Sequence, residues 1–194
     1  MYKEKKIALV IPCYKVSKFI NQVINKVPNF VDKIYLVDDK CPESSLKKVT
    51  SRSNKIKKIY RKINGGVGAA VKDGYRHSVK DNNHVTVRID GDDQMDLKLI
   101  KYFIDPIISK KAGFTKGNRF SDLTFIKKMP IIRIVGNILF SMIGILITKN
   151  IKIFDFLNGY TSIDNKALKK VLKKNLDDDF YFDTVLIYQL NRLK

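Results

Sequence analysis

Runs and alternations of apolar residues divide this chain into short, regular segments. Ile7 to Ile11 is a continuous apolar run, as expected of a strand buried on both faces in a parallel sheet, and Pro12 is predicted to end it just before Tyr14. Phe19, Ile20, Val23, Ile24 and Val27 recur at helical spacing, predicting a helix capped by Ser17 and stopped by Pro28. Lys33 to Val37 reads as a second strand running into Asp38-Asp39, and Pro42-Glu43-Ser44 as the opening of another helix. Ile56 to Tyr60 is a third strand. A glycine-rich turn, Asn64-Gly65-Gly66-Val67-Gly68, then leads into a helix containing Ala69, Ala70 and Val71. In the fourth strand Val85, Val87 and Ile89 alternate with Thr86 and Arg88, the period of a half-buried strand with Arg88 on its open face. Strands alternating with helices imply an α/β fold with a mostly parallel sheet and right-handed crossovers. Ligands in such sheets bind at the carboxyl ends of the strands, where Pro12 to Tyr14, Asp38-Asp39, the glycine turn and Asp90 to Asp92 all fall.

The densest chemistry is Asp90-Gly91-Asp92-Asp93-Gln94-Met95-Asp96. Gly91 is expected to bend the chain so that Asp90 and Asp92 converge. Carboxylates that close resist ionising together unless a cation sits among them, and oxygen ligands suit a hard divalent ion, Mg²⁺ or Mn²⁺, with positions left for a diphosphate. The plainer alternative is an acidic turn in which Asp96 caps the next helix. The glycine turn is not a Walker loop, since no Gly-Lys-Ser/Thr follows it, nor is it a dinucleotide fingerprint in the first strand–helix turn.

Length and charge narrow the field. With 194 residues and 44% hydrophobic content, the chain suits one globular domain. A formal net charge of +19 points to an anionic partner: a membrane surface, a nucleotide or nucleic acid. No nucleic-acid motif accompanies it, so nucleic acid ranks last. Cys13 and Cys41 form neither a disulfide framework nor a zinc site and are expected to stay reduced in the cytoplasm. The charged segment Met1 to Lys6 runs straight into a strand, so no signal peptide is expected. His77 and His84 are expected at a helix surface and a strand start, and Lys169-Lys170 with Lys173-Lys174 on a solvated helix face. Ile131 to Thr148 is apolar but interrupted by Arg133 and Asn137. On a helix, Arg133, Asn137, Ser141, Gly144 and Thr148 share one face, while Ile134, Ile138, Met142, Ile145 and Leu146 lie towards the other. Two readings stand: an interfacial helix with its apolar side in lipid and its polar side towards the site, or a core helix of a soluble domain.

The carboxyl-end motifs, taken in order, resemble the family 2 glycosyltransferases of the GT-A fold, and within them the dolichol- and polyprenyl-phosphate sugar synthases. The matching residues are Val10-Ile11-Pro12-Cys13-Tyr14, Val37-Asp38-Asp39, Asn64 to Ala70 and Asp90 to Asp96. Lys116-Gly117-Asn118-Arg119-Phe120, Met129-Pro130 with Arg133 and Gly136-Asn137, and Asn158-Gly159-Tyr160-Thr161 follow. The resemblance implies a GT-A, Rossmann-like domain over 1–194, with a nucleotide-sugar-binding half at 1–120 and an acceptor-side half at 121–194. It implies an inverting, metal-dependent transferase that uses a nucleotide-sugar donor and a polyprenyl-phosphate or saccharide acceptor. Asp39 would hold the base or ribose, with Asp38, Pro12, Tyr14 and Gly66 around that pocket. Asp90 and Asp92 would be the Asp-x-Asp pair at the metal, with Gln94 alongside. Arg119 and Arg133 would meet phosphates, those of the acceptor, where a fork of donors pairs two oxygens at once. Departures are Lys15-Val16 where Asn-Glu is frequent, Asp155-Phe156-Leu157 in place of Asp-Pro-Gln, and Val185 at a position where an acid is common. Asp183 matches an acidic position of the family. Related synthases carry transmembrane helices after the catalytic domain. This chain is therefore expected to be a catalytic domain alone, a truncated gene, or one partner of a separate membrane subunit, working peripherally at the inner face of an anionic membrane. A nucleotidyltransferase and a non-catalytic membrane-associated protein with the same fold are the competing classes.

Overall fold

The computed structural model describes residues 1–121, 126 and 129–193. Its centre is a six-stranded sheet in the order β3-β2-β1-β4-β6-β5. The strands are β1 (Ile7–Cys13), β2 (Lys33–Asp38), β3 (Ile56–Tyr60), β4 (Val85–Arg88), β5 (Phe114–Lys116) and β6 (Thr161–Asp164). The first four are parallel, and β6 runs antiparallel between β4 and β5. The sheet is thus mixed but mostly parallel. The helices are α1 (Ile20–Lys26), α2 (Val67–Lys80), α3 (Ile100–Ile108), α4 (Ile131–Thr148), α5 (Asn165–Val171) and α6 (Phe182–Asn191).

Successive side chains of a strand point to opposite faces, so β1 supplies two cores. Ile7, Leu9 and Ile11 pack with Val23 of α1 and with Ile100 and Ile104 of α3. Ala8 and Val10 pack on the other side with Val71 and Tyr75 of α2, Leu168 of α5 and Phe182 and Leu186 of α6. Helices on both faces mean that β4 has no open side. Thr86 and Arg88, expected to face outward, are buried as deeply as Val85 and Val87. The alternation does form a strand, but its polar face is an interior.

Several local expectations are corrected. β1 runs through Pro12, which sits opposite Val37, and ends at Cys13 opposite Asp38. Ser17 does not cap α1. Its hydroxyl donates to Glu43 at 2.7 Å, and α1 starts only at Ile20. The segment after Pro42 makes a 3₁₀ turn, Ser45–Lys48, rather than a full helix, with Ser44 in the left-handed region. Gly91 has no positive φ. A Cβ there would lie 3.3 Å from the Val16 side chain, so it is tight packing that suits glycine, and the left-handed bend falls on Asp93. Asp96 does cap the turn at Leu97–Leu99, accepting from the Lys98 amide.

α4 inverts the usual pattern. Its buried stripe is Asn137, Ser141, Gly144 and Thr148, while Ile132, Leu139 and Leu146 are 82%, 56% and 75% exposed. The polar stripe expected from the sequence is real, but it packs inward against α6 and the loop before β6. Phe140 stacks on Tyr181, Asn191 donates to the Thr148 carbonyl, and Phe156 fills the space beside Gly144. A Cβ on Gly144 would come within 2.7 Å of that ring. Ile138 and Ile145, expected on the outer face, are half-buried at its edge.

Candidate active site

The first wall of the site forms where β1 and β2 end. Asp38 and Asp39 are both buried. Asp38 accepts the Cys41 amide at 2.7 Å and so shapes the loop after β2. Asp39 accepts the amides of Gly65 and Gly66 at 3.0 and 2.8 Å and pairs with Arg61 Nη1 at 2.6 Å. The glycine turn is therefore held to the end of β2 by a carboxylate. Gly66 adopts φ +89°, a conformation open to glycine, and caps α2. Pro12 is half-buried and Tyr14 exposed beside it, with the Lys15 ammonium 5.5 Å from the Tyr14 ring centre.

The second wall is built across β4, β6 and β5. Arg88 of β4 and Lys116 of β5 both lie opposite Thr161 of β6, which places the two cations in one row on one face. Asp183, in the first turn of α6, closes over them. Arg88 Nη1 donates to both Asp183 oxygens at 2.9 Å, and the Lys116 ammonium lies 3.9 Å from Asp183 Oδ1. Lys116 also donates to the Asn158 carbonyl. Arg88 Nη2 reaches Asp90 at 3.6 Å. Burial pushes Lys116 below its usual range, whereas the Asp183 carboxylate overcomes burial at Arg88 and raises it. Asp90 stands above the ordinary carboxylate range, first because of burial and then because of the charges of Asp183 and Asp92, with Arg88 opposing. Gly159 backs onto it so closely that a Cβ would sit 2.6 Å from Asp90 Oδ2.

Arg119 joins this cluster through Asp155. Its Nε and Nη2 donate to the two oxygens of the fully buried Asp155 at 2.7 and 2.8 Å, and its backbone amide donates at 3.0 Å. That pairing raises Arg119, and Asp90 is near enough to add to it. Nη1 has no protein partner among the described residues. Arg133 is elsewhere, exposed on the first turn of α4 and without an ion pair among the described residues. Among the described residues Asp92 accepts only the Gln94 amide, Gln94 is exposed, and Asp93 is taken by Lys26 at 2.6 Å. The structure thus gathers Asp90, Asp183, Arg88, Lys116, Asp155 and Arg119 in one cluster, with Asp92 beside Asp90.

Charge bookkeeping tests whether these residues suit a divalent ion. Arg88, Lys116 and Arg119 balance Asp90, Asp155 and Asp183, which leaves Asp92 without a protein cation among the described residues. No three His, Cys, Asp or Glu side chains among the described residues converge as a ready-made metal cage. A raised Asp90 next to an uncompensated Asp92 fits a cation whose remaining ligands come from a bound diphosphate or water.

The family model for glycosyl transferase family 2 matches residues 8–172. The chain belongs to that family. A UDP-N-acetylglucosamine–dolichyl-phosphate N-acetylglucosaminyltransferase of Methanococcus voltae is 28% identical over 98% of this chain and 82% of its own length. An uncharacterised protein of Methanocaldococcus jannaschii is 24% identical over 86% of this chain and 68% of its own. Among solved structures, glucosyl-3-phosphoglycerate synthase from Mycobacterium tuberculosis in complex with Mn²⁺ and UDP-glucose superposes with a TM-score of 0.72 at 12% identity, covering 97% of this chain and 67% of that one. The same enzyme with Mn²⁺, UDP and glucosyl-3-phosphoglycerate gives a TM-score of 0.66 at 13% identity, and this chain spans 64% of it. The fold is GT-A. Arg61 and Arg88 carry no motif that marks them as site residues, whereas Lys116 opens the Lys116 to Phe120 match and Asp155 begins the Asp155-Phe156-Leu157 departure. For Arg61 and Arg88 the available signal is a charged side chain at the carboxyl end of a strand.

Proposed function

We propose that this chain is a metal-dependent, inverting glycosyltransferase that moves a sugar from a nucleotide-sugar donor to a polyprenyl phosphate. One observation carries the acceptor class. Asp183 is one of the carboxylates beside Asp90, and both its oxygens accept from Arg88 Nη1, with the Lys116 ammonium alongside. Oxygens that already accept from a guanidinium are not free to take the proton of an acceptor hydroxyl. A sugar hydroxyl needs a base, whereas a phosphate arrives already ionised. The Methanococcus relative, named for transfer to dolichyl phosphate, supports the same reading.

In this reading Asp39 and the glycine turn, with Pro12 and Tyr14, hold the nucleoside. Asp90 and Asp92 hold Mg²⁺ or Mn²⁺, with Gln94 alongside. The metal, when bound, offsets the charge that develops on the departing diphosphate. Arg119, held by Asp155, presents Nη1 to the acceptor phosphate, and Arg133 is available to a phosphate approaching along α4. A phosphate oxygen attacks the anomeric carbon from the side opposite the diphosphate. The bond from that carbon to the diphosphate oxygen breaks and its electron pair leaves with the nucleoside diphosphate. No proton need move.

The test is a panel of nucleotide sugars with Mn²⁺ or Mg²⁺, offered either a polyprenyl phosphate or saccharide acceptors, and scored for nucleoside diphosphate and glycosylated product. Glycolipid formed only with the phosphate acceptor and abolished by EDTA is expected. Transfer to saccharide hydroxyls alone, or turnover indifferent to EDTA, overturns the acceptor or the metal reading respectively.

A further inference from the structure

We propose that the outer face of α4 is a docking surface for an anionic lipid bilayer, with the helix lying in the plane of the interface. The inference is independent of the transferase reading and needs no turnover to test. Ile132, Val135, Leu139, Met142, Ile143 and Leu146 all stand about half or more exposed along one helix of 18 residues. An apolar stripe of that length is normally turned to the core, and here the core side carries Asn137, Ser141 and Thr148 instead.

Charge selects the occupant. From Leu123 to Phe154 the sequence has no Asp or Glu and five basic residues, Lys127, Lys128, Arg133, Lys149 and Lys152, within a chain of net charge +19. An apolar band with Arg133 on its first turn and Lys149 and Lys152 just beyond its last suits an anionic headgroup layer over an acyl layer. A second copy of this chain suits it poorly, because any symmetric pairing of α4 sets these cations against their own kind. α4 is also apolar and long enough to cross a membrane by composition. Spanning would strip Asn137, Ser141, Gly144 and Thr148 from α6 and Phe156, so the in-plane placement is the one that keeps the fold.

The chain contains no tryptophan, so one introduced indole reports its own surroundings. Leu139→Trp should show a blue-shifted emission, quenched by bromine-labelled acyl chains, when mixed with vesicles of phosphatidylglycerol and phosphatidylcholine. Tyr102→Trp, on exposed α3, should show neither. Vesicle affinity should fall on the order of tenfold between 0.1 and 1 M NaCl. It should be lost in Leu139→Asp/Leu146→Asp, whose circular dichroism should stay native because both sites are exposed. No shift with anionic vesicles at low salt overturns the proposal. A shift that depends on protein concentration without vesicles assigns the face to self-association. Resistance to both salt and alkaline carbonate, with release only by detergent, overturns the in-plane placement.

Discussion

Two sets of carboxylates meet at the ends of the central strands, and they differ in who neutralises them. Asp39, Asp155 and Asp183 each have a buried or half-buried arginine within 3 Å, at Arg61, Arg119 and Arg88. Asp92 has no cation among the described residues, and Asp90 has only the second nitrogen of an arginine already committed to Asp183. A buried charge must be paired inside the protein or by something that binds. The first set therefore holds the architecture together, Asp39 by fixing the glycine turn, while the partly exposed Asp90 and Asp92 are left open to the ligand we propose. The two should respond to mutation in opposite ways.

The largest effect is expected from breaking the internal set. Arg88→Met leaves Asp183 buried without its partner and should cost about 3–5 kcal/mol of stability, read by chemical denaturation. A loss below 1 kcal/mol would show that Asp183 is not held by this pair. Next comes the open set. Asp92→Asn should lower transfer about 10²–10³-fold while the melting temperature stays within experimental error, since no protein cation is orphaned. A variant that unfolds instead would move Asp92 into the first group. Asp39→Ala sits between the two. It should weaken nucleoside diphosphate binding by about 1–3 kcal/mol by calorimetry, because Gly65 and Gly66 lose the acceptor that places their turn. Unchanged affinity would remove the Asp39 pocket from the donor site. The smallest effect belongs to the exposed pair of Lys26 and Asp93, where Lys26→Met should change stability by about 0–1 kcal/mol.

What the sequence revealed follows the same division. Strands β1, β2 and β4 are legible because each carries an apolar run or alternation, and α4 because Pro130 precedes 18 residues that are mostly apolar. β6 escaped notice because Thr161 and Ser162 are buried hydroxyls rather than branched hydrocarbons, and β5 is three residues long. The Asp-x-Asp pair and Asp39 were visible as motifs. Their partners were not, since Arg88 in a strand looks like a solvent-facing residue until α2, α5 and α6 cover that side of the sheet. Asp155 was noticed only as a departure from an expected tripeptide. It became a site residue when the fold brought it 36 positions back to Arg119.

The contact between Gly144 and Phe156 has a consequence of its own. Phe156 fills the notch at Gly144, Asp155 is its covalent neighbour, and Arg119 rests on Asp155 by three hydrogen bonds. The height of the guanidinium above α4 is thus set by direct contacts through Phe156 and Asp155. If α4 lies at a lipid surface as we propose, that height acts as a depth gauge. An acceptor tethered in the same leaflet meets Arg119 only if the distance from its anchor to its reacting oxygen equals the gauge. Acceptors would then be sorted by how far their head stands out of the membrane, and a bulkier residue at 144 would reset the scale without touching a single group that binds the sugar.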